Sequence, residues 1–319
     1  MLVYWRVIFA FKEANILHID ELGDEIKKAR PKYKARAIPK KAGGERKIFI
    51  PDETTAKIQR AILADLYELN IEISPNAFAF RKNKSIKDNA QPHTGKICLI
   101  CYDLRDFFDT ITFKKVEEEL QRHGVDKTFI KTVKKWCFVE RHLPQGAPTS
   151  PFLSNLVCRN LDYRFTKLAE KIGATYTRYA DDIIISGDEN IVKYQTIYKR
   201  IIRTEKFYIN YHKTRISVLD IAQDNSANNW FVPWHIVTGL TVDADKVSVR
   251  PSYINKVKHE LQRDGVNPGK IGFIKFVDFD AAQVLAKYLP EDQQHLITKR
   301  KKKKLTTVPL EPEEEDFVF

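Results

Sequence analysis

The segment ATYTRYADDIIISG, residues 174–187, places two adjacent aspartates between two runs of strand-forming residues. Such runs on either side of a short turn predict a β-hairpin. Asp181 and Asp182 then lie at its tip, so the apolar residues anchor the two acids rather than surround them. Aspartate is also a common turn residue, and for the pair alone this simpler interpretation carries as much weight as a functional one.

A third acid stands at the end of another apolar run. Residues 97–103, ICLICYD, predict a buried strand that ends on Asp103 and can pair beside the hairpin. Packed carboxylates repel each other, and burial raises their pKa unless a cation compensates. Mg²⁺ takes oxygen ligands, commonly one or two carboxylates together with substrate phosphates. Three carboxylates could hold two such ions, which can activate an attacking hydroxyl and stabilise a leaving pyrophosphate.

The order of the other elements favours an α+β fold. A basic hairpin with Gly43 and Gly44 at its turn precedes a packing helix, and helices and strands then alternate irregularly. This order fits neither a long βαβ array nor an all-β sandwich, but it suits a sheet with helices on one face, of the split-βαβ kind. The predicted elements are helices over 54–69, 114–121, 153–161 and 191–204, a strand over 208–217, a strand pair at 235–242 and 246–250, and a small helical unit after residue 250.

Composition and charge narrow the class of protein. The 319 residues are 43% hydrophobic, which is enough for a sizeable core. A formal net charge of +12 points towards a polyanionic partner such as nucleic acid. No window reaches the roughly 18–20 apolar residues of a membrane span, and the opening MLVYWRVIFAF lacks the basic start and cleavage site of a signal peptide. We therefore expect a cytoplasmic protein without a membrane partner.

The cysteines do not predict a disulfide framework or a metal centre. Cys98 and Cys101 form a CxxC pattern, which invites a zinc or redox interpretation. Residues three apart on a strand point to opposite faces, however, and the sequence has no second CxxC. We expect both to be core residues, and this usage agrees with a reducing compartment.

Five short motifs occur in the order typical of one enzyme family. YADD at 179–182, LPQGAPTSP at 143–151 and YDLRDFF at 102–108 together resemble a reverse transcriptase, an RNA-directed DNA polymerase. Two further patterns are similar to those that mark retron reverse transcriptases, namely NAxxH from Asn89 to His93 and VTG at Val237, Thr238 and Gly239.

The resemblance implies a right-hand polymerase fold with fingers, a ferredoxin-like palm and a small helical thumb. We expect an N-terminal helical segment over 1–29, fingers with part of the palm over 30–96 and the palm over 97–249. The thumb, 250–298, would also bind RNA, with aromatic residues stacking on unpaired bases. The tail, 299–319, is basic and then acidic, and we expect it to be flexible.

The resemblance also assigns the three acids a role. Asp103, Asp181 and Asp182 would be the catalytic residues that bind two Mg²⁺ ions. The backbone carbonyl of Leu104 would be an additional ligand.

Two residues near these acids would select and turn over the substrate. Phe108 would be the steric gate that clashes with a ribose 2′-hydroxyl, so that the enzyme chooses deoxynucleoside triphosphates, while Phe107 beside it would belong to the core. Lys213 would protonate the leaving pyrophosphate. A strand-edge lysine is an equally good interpretation of Lys213.

Four polar residues would position the nucleotide. Gln145 resembles the glutamine that approaches nucleotide and template in the family. Arg46 and Lys47 would cover the triphosphate, with help from Arg81, because the planar fork of arginine can donate two hydrogen bonds to phosphate. Each single cation among 54 can also be ordinary solvated surface.

Asn89 and His93 lie four residues apart and would share one face of a helix. A lone histidine is more often structural than catalytic. We expect these two residues to position RNA or the local fold rather than to transfer protons, because the metals already supply the chemistry of this family.

The function implied is that of a retron reverse transcriptase. Such an enzyme would recognise its own structured noncoding RNA and prime from the 2′-hydroxyl of an internal guanosine. It would copy part of that RNA into multicopy single-stranded DNA that stays linked to RNA. A host ribonuclease H would trim the template, and an effector protein would be a partner in antiphage defence.

Two alternatives stay open at this point. The chain could be another bacterial reverse transcriptase, of the group II intron or diversity-generating type. It could also be a non-catalytic scaffold that holds RNA, DNA and an effector together, although retention of all three aspartates argues against a dead site.

Overall fold

The computed structural model describes residues 18–39, 43–219, 231–265 and 267–297. The chain divides into two compact units, Met1–Ser248 and Val249–Phe319. The predicted tail at 299–319, most of the predicted N-terminal segment and residues 40–42 of the basic hairpin lie outside the described residues. The finer domain boundaries therefore stay predictions.

The described part of the first unit begins with a 3₁₀ helix, Ile19–Leu22, and helix α1, Gly23–Lys28. Strands β1 (Tyr33–Pro39) and β2 (Glu45–Pro51) then pair antiparallel along their whole length. Most of their side chains are exposed. Gly43 and Gly44 both have positive φ angles, which glycine adopts without steric cost. The predicted basic hairpin is confirmed.

Helix α2, Glu53–Glu68, confirms the predicted packing helix. Asp52 caps its start by accepting a hydrogen bond from the backbone N–H of Thr55 at 2.8 Å. One stripe at helical spacing is fully buried and packs into the core. It comprises Ile58, Ile62 and Leu66.

Helices and short strands alternate through the rest of this unit. In chain order they are α3 (Ile86–Ala90), a 3₁₀ turn (Gln91–His93), β3 (Cys98–Arg105), α4 (Phe113–Arg122), α5 (Lys127–Cys137), α6 (Ser150–Val157), α7 (Arg159–Ile172), β4 (Thr175–Tyr179), β5 (Asp182–Gly187), a 3₁₀ helix (Glu189–Tyr194), α8 (Gln195–Thr204), β6 (Tyr208–Ile209), β7 (Arg215–Leu219), β8 (Phe231–Val232), β9 (His235–Val237), β10 (Leu240–Val242) and β11 (Val247–Val249).

The central sheet is built around β3. Its strand order is β4-β5-β3-β7-β8, with β6 also paired to β3, and a smaller sheet has the order β11-β10-β9. All pairs in the central sheet are antiparallel except β7 with β8. Alternate residues of β3 join the main hydrophobic core with residues from α2 and α4 to α8. This is the α+β architecture that the sequence predicts. The core residues from β3 are Cys98, Ile100, Tyr102 and Leu104.

Four predicted elements differ from the structure in extent. The strand predicted over 235–242 is two strands, β9 and β10, joined by a turn at 238–239. The single strand predicted over 208–217 is wrong, because a turn at 210–213 separates β6 from β7 and both then pair with β3. The helix predicted over 153–161 is divided at Cys158 into α6 and α7. The helix predicted from residue 191 begins as the 3₁₀ helix Glu189–Tyr194 and becomes α-helical only at Gln195.

The second unit confirms the predicted small helical unit. It contains α9 (Pro251–Asp264), α10 (Pro268–Val277), α11 (Phe279–Ala286) and a 3₁₀ helix, Glu291–Leu296. The side chains of Asn267 and Asp278 cap α10 and α11. Across the described residues, no helix is both long and apolar enough to cross a membrane.

Candidate active site

Strand register brings the three predicted acids together. Asp103 on β3 lies directly opposite Asp182, the first residue of β5. The backbone N–H of Leu104 donates to the carbonyl oxygen of Asp181 at 2.8 Å, which fastens the tip of the hairpin to the central strand. Asp103 is only 7% exposed, and the other two acids are partly buried.

A left-handed residue forms the tip. Ala180 has a φ angle of 56°, a conformation that costs a non-glycine residue energy and persists only when its surroundings enforce it. The guanidinium of Arg178 donates a hydrogen bond to the carbonyl oxygen of Ala180 at 3.1 Å. This contact helps to hold the turn that precedes Asp181.

Arg178 is itself held by a buried network that the sequence analysis missed. Its Nε and Nη2 donate to the two carboxylate oxygens of Asp162 at 2.7 and 2.8 Å, and Nη2 also reaches Asn155 at 3.1 Å. Tyr176 donates to the same carboxylate at 2.7 Å. Arg178 and Asp162 are completely buried. The hairpin that carries Asp181 and Asp182 is thereby attached to helices α6 and α7.

We expect Arg178→Met to lower the free energy of unfolding by about 3–5 kcal/mol, because it leaves the Asp162 carboxylate buried without its cation. Replacing both partners, with Arg178→Met and Asp162→Leu, should cost less than the sum of the single changes. Urea unfolding measures both effects. Arg122→Met is the matched control, because Arg122 pairs with Glu119 while 63% of its side chain is exposed, and such pairs contribute about 1 kcal/mol or less. Equal decreases in the free energy of unfolding for Arg178→Met and Arg122→Met would contradict the role assigned to Arg178.

The three carboxylates repel one another in this arrangement. Burial, followed by the charges of Asp181 and Asp103, raises the pKa of Asp182 to about 7. Burial and the charge of Asp103 likewise raise the pKa of Asp181. Lys213 offsets part of this repulsion by donating to Asp103 at 2.9 Å, and this hydrogen bond raises the pKa of Lys213. Three carboxylates whose charges raise the pKa values of Asp181 and Asp182, with one lysine hydrogen-bonded to Asp103, are oxygen donors of the kind a divalent cation such as Mg²⁺ takes.

The cysteines take no part in this site. Cys98 and Cys101 are buried core residues, as predicted. Burial raises their thiol pKa values to about 11 and about 12 respectively. Both are therefore protonated at neutral pH and unsuited to bind metal or act as nucleophiles.

Another cluster of metal-ligating residue types lies at His18. Its Nδ1 is 2.5 Å from a carboxylate oxygen of Asp65, and its Nε2 is 3.5 Å from one of Glu68. The hydrogen bond with Asp65 raises the pKa of His18. Because each ring nitrogen faces a different acid, this arrangement fits a protonated histidine between two carboxylates better than a metal centre.

The structure separates the cations that the sequence grouped at the nucleotide. Burial and the charge of Asp103 raise the pKa of Asp181, and Arg46 is among the groups that partly oppose this rise, so its charge reaches this carboxylate. Lys47 instead lies 3.7 Å from Glu140 and above the ring of Phe49. Arg81 donates to the backbone carbonyl oxygens at positions 74 and 77, at 2.7 and 3.1 Å. Of these three cations, Arg46 is thus the one whose charge acts on the pKa of Asp181.

The loop of Gln145 is joined to the basic hairpin. The backbone N–H of Phe49 on β2 donates to the carbonyl oxygen of Gln145 at 2.9 Å. Gly146 follows with a φ angle of 120°, and a Cβ atom added there would lie 2.8 Å from the carbonyl oxygen of Phe49. Glycine is therefore required at this position, and the close approach places Gln145 beside the hairpin that carries Arg46.

The two adjacent phenylalanines have different surroundings. Phe107 is buried and stacks on Phe207 with 5.8 Å between ring centroids. Phe108 is only partly buried and lies 6.3 Å from the ring of Phe80. Phe107 thus belongs to the core, and Phe108 is the ring with a surface left to meet a substrate.

The two predicted retron motifs lie at the end of α3 with the 3₁₀ turn that follows it, and at the turn between β9 and β10. Asn89 and His93 are fully buried. His93 bridges the catalytic hairpin, since Nε2 lies 2.7 Å from the hydroxyl of Thr177 on β4 and Nδ1 lies 2.6 Å from that of Ser186 on β5. Burial lowers the pKa of His93 to about 3, so it stays neutral at physiological pH. The other motif turns the chain from β9 to β10 through positive φ angles at Thr238 and Gly239, after Val237.

His93→Gln should destabilise the protein by about 1–3 kcal/mol near neutral pH, because it disturbs two buried hydrogen bonds. His93 stays unprotonated in the folded state at pH values where the unfolded histidine binds a proton. The free energy of unfolding of the wild type therefore decreases by up to about 1.4 kcal/mol per pH unit as the pH falls from about 6.5 towards 4. The free energy of unfolding of the variant lacks this decrease. The difference in stability between the two proteins should therefore close at acid pH. Urea unfolding across this range tests it, with exposed His212→Gln as the control. A stability difference between wild type and His93→Gln that does not change with pH would contradict a neutral, buried His93.

Comparison with known proteins gives the class to which this fold and this site belong. Residues 38–260 match the family described as reverse transcriptase (RNA-dependent DNA polymerase). The chain therefore belongs to the reverse transcriptase family.

Curated relatives narrow the class to the retron type. The chain is 32% identical to the retron Ec86 reverse transcriptase of Escherichia coli over 72% of this chain and 69% of that enzyme. It is 29% identical to the retron Ec73 enzyme of Escherichia coli, over 93% and 94% of the two chains. A 30% identity to the retron Mx65 enzyme of Myxococcus xanthus covers 81% of this chain and 65%, just under two thirds, of the relative. The chain is thus of the retron reverse transcriptase type.

Solved structures agree on the fold. Telomerase from Candida albicans superposes with a TM-score of 0.51 at 11% identity, over 83% of this chain and 56% of the telomerase chain. Apo telomerase from Candida tropicalis gives a TM-score of 0.51 at 12% identity, over 79% and 58%. This similarity supports the polymerase fold predicted from the sequence.

Proposed function

We propose that this chain synthesises DNA on an RNA template by two-metal nucleotidyl transfer. The observation that carries the proposal is the register of Asp103 against Asp182, with Asp181 fastened to Leu104 beside them. The three carboxylates and the carbonyl oxygen of Leu104 would hold two Mg²⁺ ions. Bound there, the ions supply activation of the attacking hydroxyl and charge stabilisation for the leaving pyrophosphate.

Lys213 would act on the leaving group. Its ammonium group is already beside the acids through the bond to Asp103, and 53% of its side chain is exposed. From this position it would release Asp103 to a metal ion and donate a proton to the departing pyrophosphate.

The deoxynucleoside triphosphate would bind between the basic hairpin and the sheet. Arg46, whose charge reaches Asp181, would contact the phosphates, and Gln145 is held next to that hairpin by Phe49. Lys47 would join them after leaving Glu140, whereas Arg81 would support the neighbouring turn through its backbone contacts.

The retron relatives support a more specific role. The chain would recognise a structured noncoding RNA from its own locus through the fingers, palm and thumb predicted above. It would prime on the 2′-hydroxyl of an internal guanosine and yield multicopy single-stranded DNA linked to RNA, with a host ribonuclease H trimming the template. Working in the cytoplasm with an effector protein, it would take part in antiphage defence.

The double variant Asp181→Asn, Asp182→Asn should abolish DNA synthesis on the cognate RNA while RNA binding persists. The amides keep the shape of the side chains but remove the negative charge that holds a divalent cation. Sequencing of the nucleic acid that copurifies with each protein measures the product. The neighbouring acids of α4 provide the control, Glu117→Gln with Glu118→Gln, which should still yield DNA joined to RNA.

RNA without DNA from both the wild type and the control would contradict the polymerase proposal. That outcome would favour the scaffold alternative, which does not need the charges of the two aspartates.

Phe108→Ala should relax the choice of sugar. Without the ring, a ribose 2′-hydroxyl fits, and the ratio of kcat/KM for deoxynucleotides to that for ribonucleotides should fall about tenfold or more. Phe108→Tyr keeps a ring of the same footprint and should retain the ratio. Steady-state incorporation of each nucleotide by both variants tests this, and an unchanged ratio in Phe108→Ala would assign the gate to another residue.

A further inference from the structure

Phe80 has a backbone conformation that bulky residues rarely adopt. Its φ angle is 61°, in the left-handed region where the Cβ atom of a side chain crowds the backbone. Residues in such conformations persist only where their surroundings enforce them, and they concentrate at functional sites. Position 80 therefore carries a phenylalanine at a backbone cost that glycine would avoid.

Hydrogen bonds on both sides of Phe80 hold this conformation. Before it, the side-chain amide of Asn155 donates to the carbonyl oxygen of Ala79 at 2.9 Å. After it, the guanidinium of Arg81 donates to the backbone carbonyl oxygens at positions 74 and 77, at 2.7 and 3.1 Å. We call residues 74–84 the Phe80 loop.

The Phe80 loop is joined to the strand that leads to the acids. The backbone N–H of Phe78 donates to the carbonyl oxygen of Arg178 on β4 at 2.9 Å, and the N–H of Arg178 donates to that of Asn76 at 2.8 Å. Asn155, which holds the loop, also accepts a hydrogen bond from the guanidinium of Arg178. The loop therefore has a fixed position relative to the β4–β5 hairpin.

The ring of Phe80 lies against the candidate steric gate. Its centroid is 6.3 Å from that of Phe108, within the range of aromatic pairs. Phe107 also contacts Phe108, with 5.3 Å between centroids, and is itself stacked on Phe207 in the core. Phe108 therefore has two aromatic neighbours, one fixed in the core and one carried by the Phe80 loop.

We propose that Phe80 is a positioning residue for sugar selection, which holds the ring of Phe108 where it excludes a ribose 2′-hydroxyl. A single partly exposed ring can change rotamer, whereas discrimination against one hydroxyl requires the ring to keep its place. Because the backbone angles at position 80 set the direction of its side chain, a relaxed loop would carry the ring of Phe80 elsewhere. The inference rests on the role proposed above for Phe108.

Phe80→Gly removes the ring without straining the backbone, because glycine adopts the left-handed conformation freely. The ring of Phe108 can then move into the vacated space. The ratio of kcat/KM for deoxynucleotides to that for ribonucleotides should therefore fall about threefold or more. The fall should come from a higher kcat/KM for ribonucleotides, with the value for deoxynucleotides nearly unchanged. A variant that is merely less well folded would instead lose activity with both nucleotides.

Two further variants are the controls. Phe80→Tyr keeps a ring at this position and should retain the wild-type ratio. Asn83→Gly relaxes a second left-handed residue of the same loop, whose φ angle is 60° and whose side chain is exposed, and should also retain the ratio. Steady-state incorporation of each nucleotide on a primed RNA template measures all of these ratios.

The double variant Phe80→Gly, Phe108→Ala separates an indirect role from a direct one. If Phe80 acts through Phe108, the double variant should have the same ratio as Phe108→Ala alone, because the effects of coupled residues do not add. A further fall in the double variant would mean that Phe80 meets the sugar itself, and it would overturn the positioning role.

An unchanged ratio in Phe80→Gly, while Phe108→Ala relaxes the choice of sugar, would overturn this inference and leave the gate in place. An equal fall in Asn83→Gly would also overturn it, because a looser loop would then suffice without loss of the ring. An unchanged ratio in Phe108→Ala would remove the gate and the role of Phe80 together. A wild type that makes no DNA would contradict the polymerase function itself, and with it any sugar selection by Phe80.

Discussion

The antiparallel pairing of β3 with β5 sets the positions of the three carboxylates in the candidate active site. It places Asp103 opposite Asp182 and fixes Asp181 through the backbone of Leu104. A shift of one residue would send every side chain of β5 to the other face. The buried isoleucines at 183–185 cover both faces of β5 and anchor this strand in the core. Burial that stabilises the strands thus also brings like charges together, and the rest of the site counters that repulsion.

Two devices hold the hairpin in this unfavourable arrangement, one on each side. Arg178 ties the turn to Asp162 on α7, and neutral His93 joins the hydroxyls of β4 and β5. A buried ion pair adds little net stability compared with apolar packing, but it permits only one geometry for its partners. At this position the ion pair fixes the geometry of the hairpin. The acids need a fixed spacing that apolar contacts, which tolerate sliding, do not impose.

The sequence predicted the features of this site that depend on local patterns, but not the contacts between residues that lie far apart in the chain. The hairpin, the strand ending on Asp103 and the core position of Phe107 follow from periodicity and residue type. The partnership of Arg178 with Asp162 joins a strand to the preceding helix, and no periodic pattern marks such a pair. Arg81 was expected at the nucleotide for its charge, yet it is bound to backbone carbonyls. The strand predicted over 208–217 is interrupted at 210–213, where the backbone N–H of Lys213 donates to the carbonyl oxygen of Asn210 and closes a turn.

The layout of charge around the acids bears on how a polyanion could approach them. Three carboxylates repel phosphate. The net charge of +12 attracts a polyanion to the chain as a whole but does not direct it to these carboxylates. The charge of Arg46 on the basic hairpin reaches Asp181, and Lys213, in the turn after β6, donates a hydrogen bond to Asp103. The acidic centre therefore has cations on both of these elements. A nucleic acid drawn to these cations would bring its own phosphates to the carboxylates, and those phosphates complete the oxygen donors that a divalent cation requires. Under the proposed mechanism, substrate and cation would bind cooperatively, because each would remove the repulsion that opposes the other.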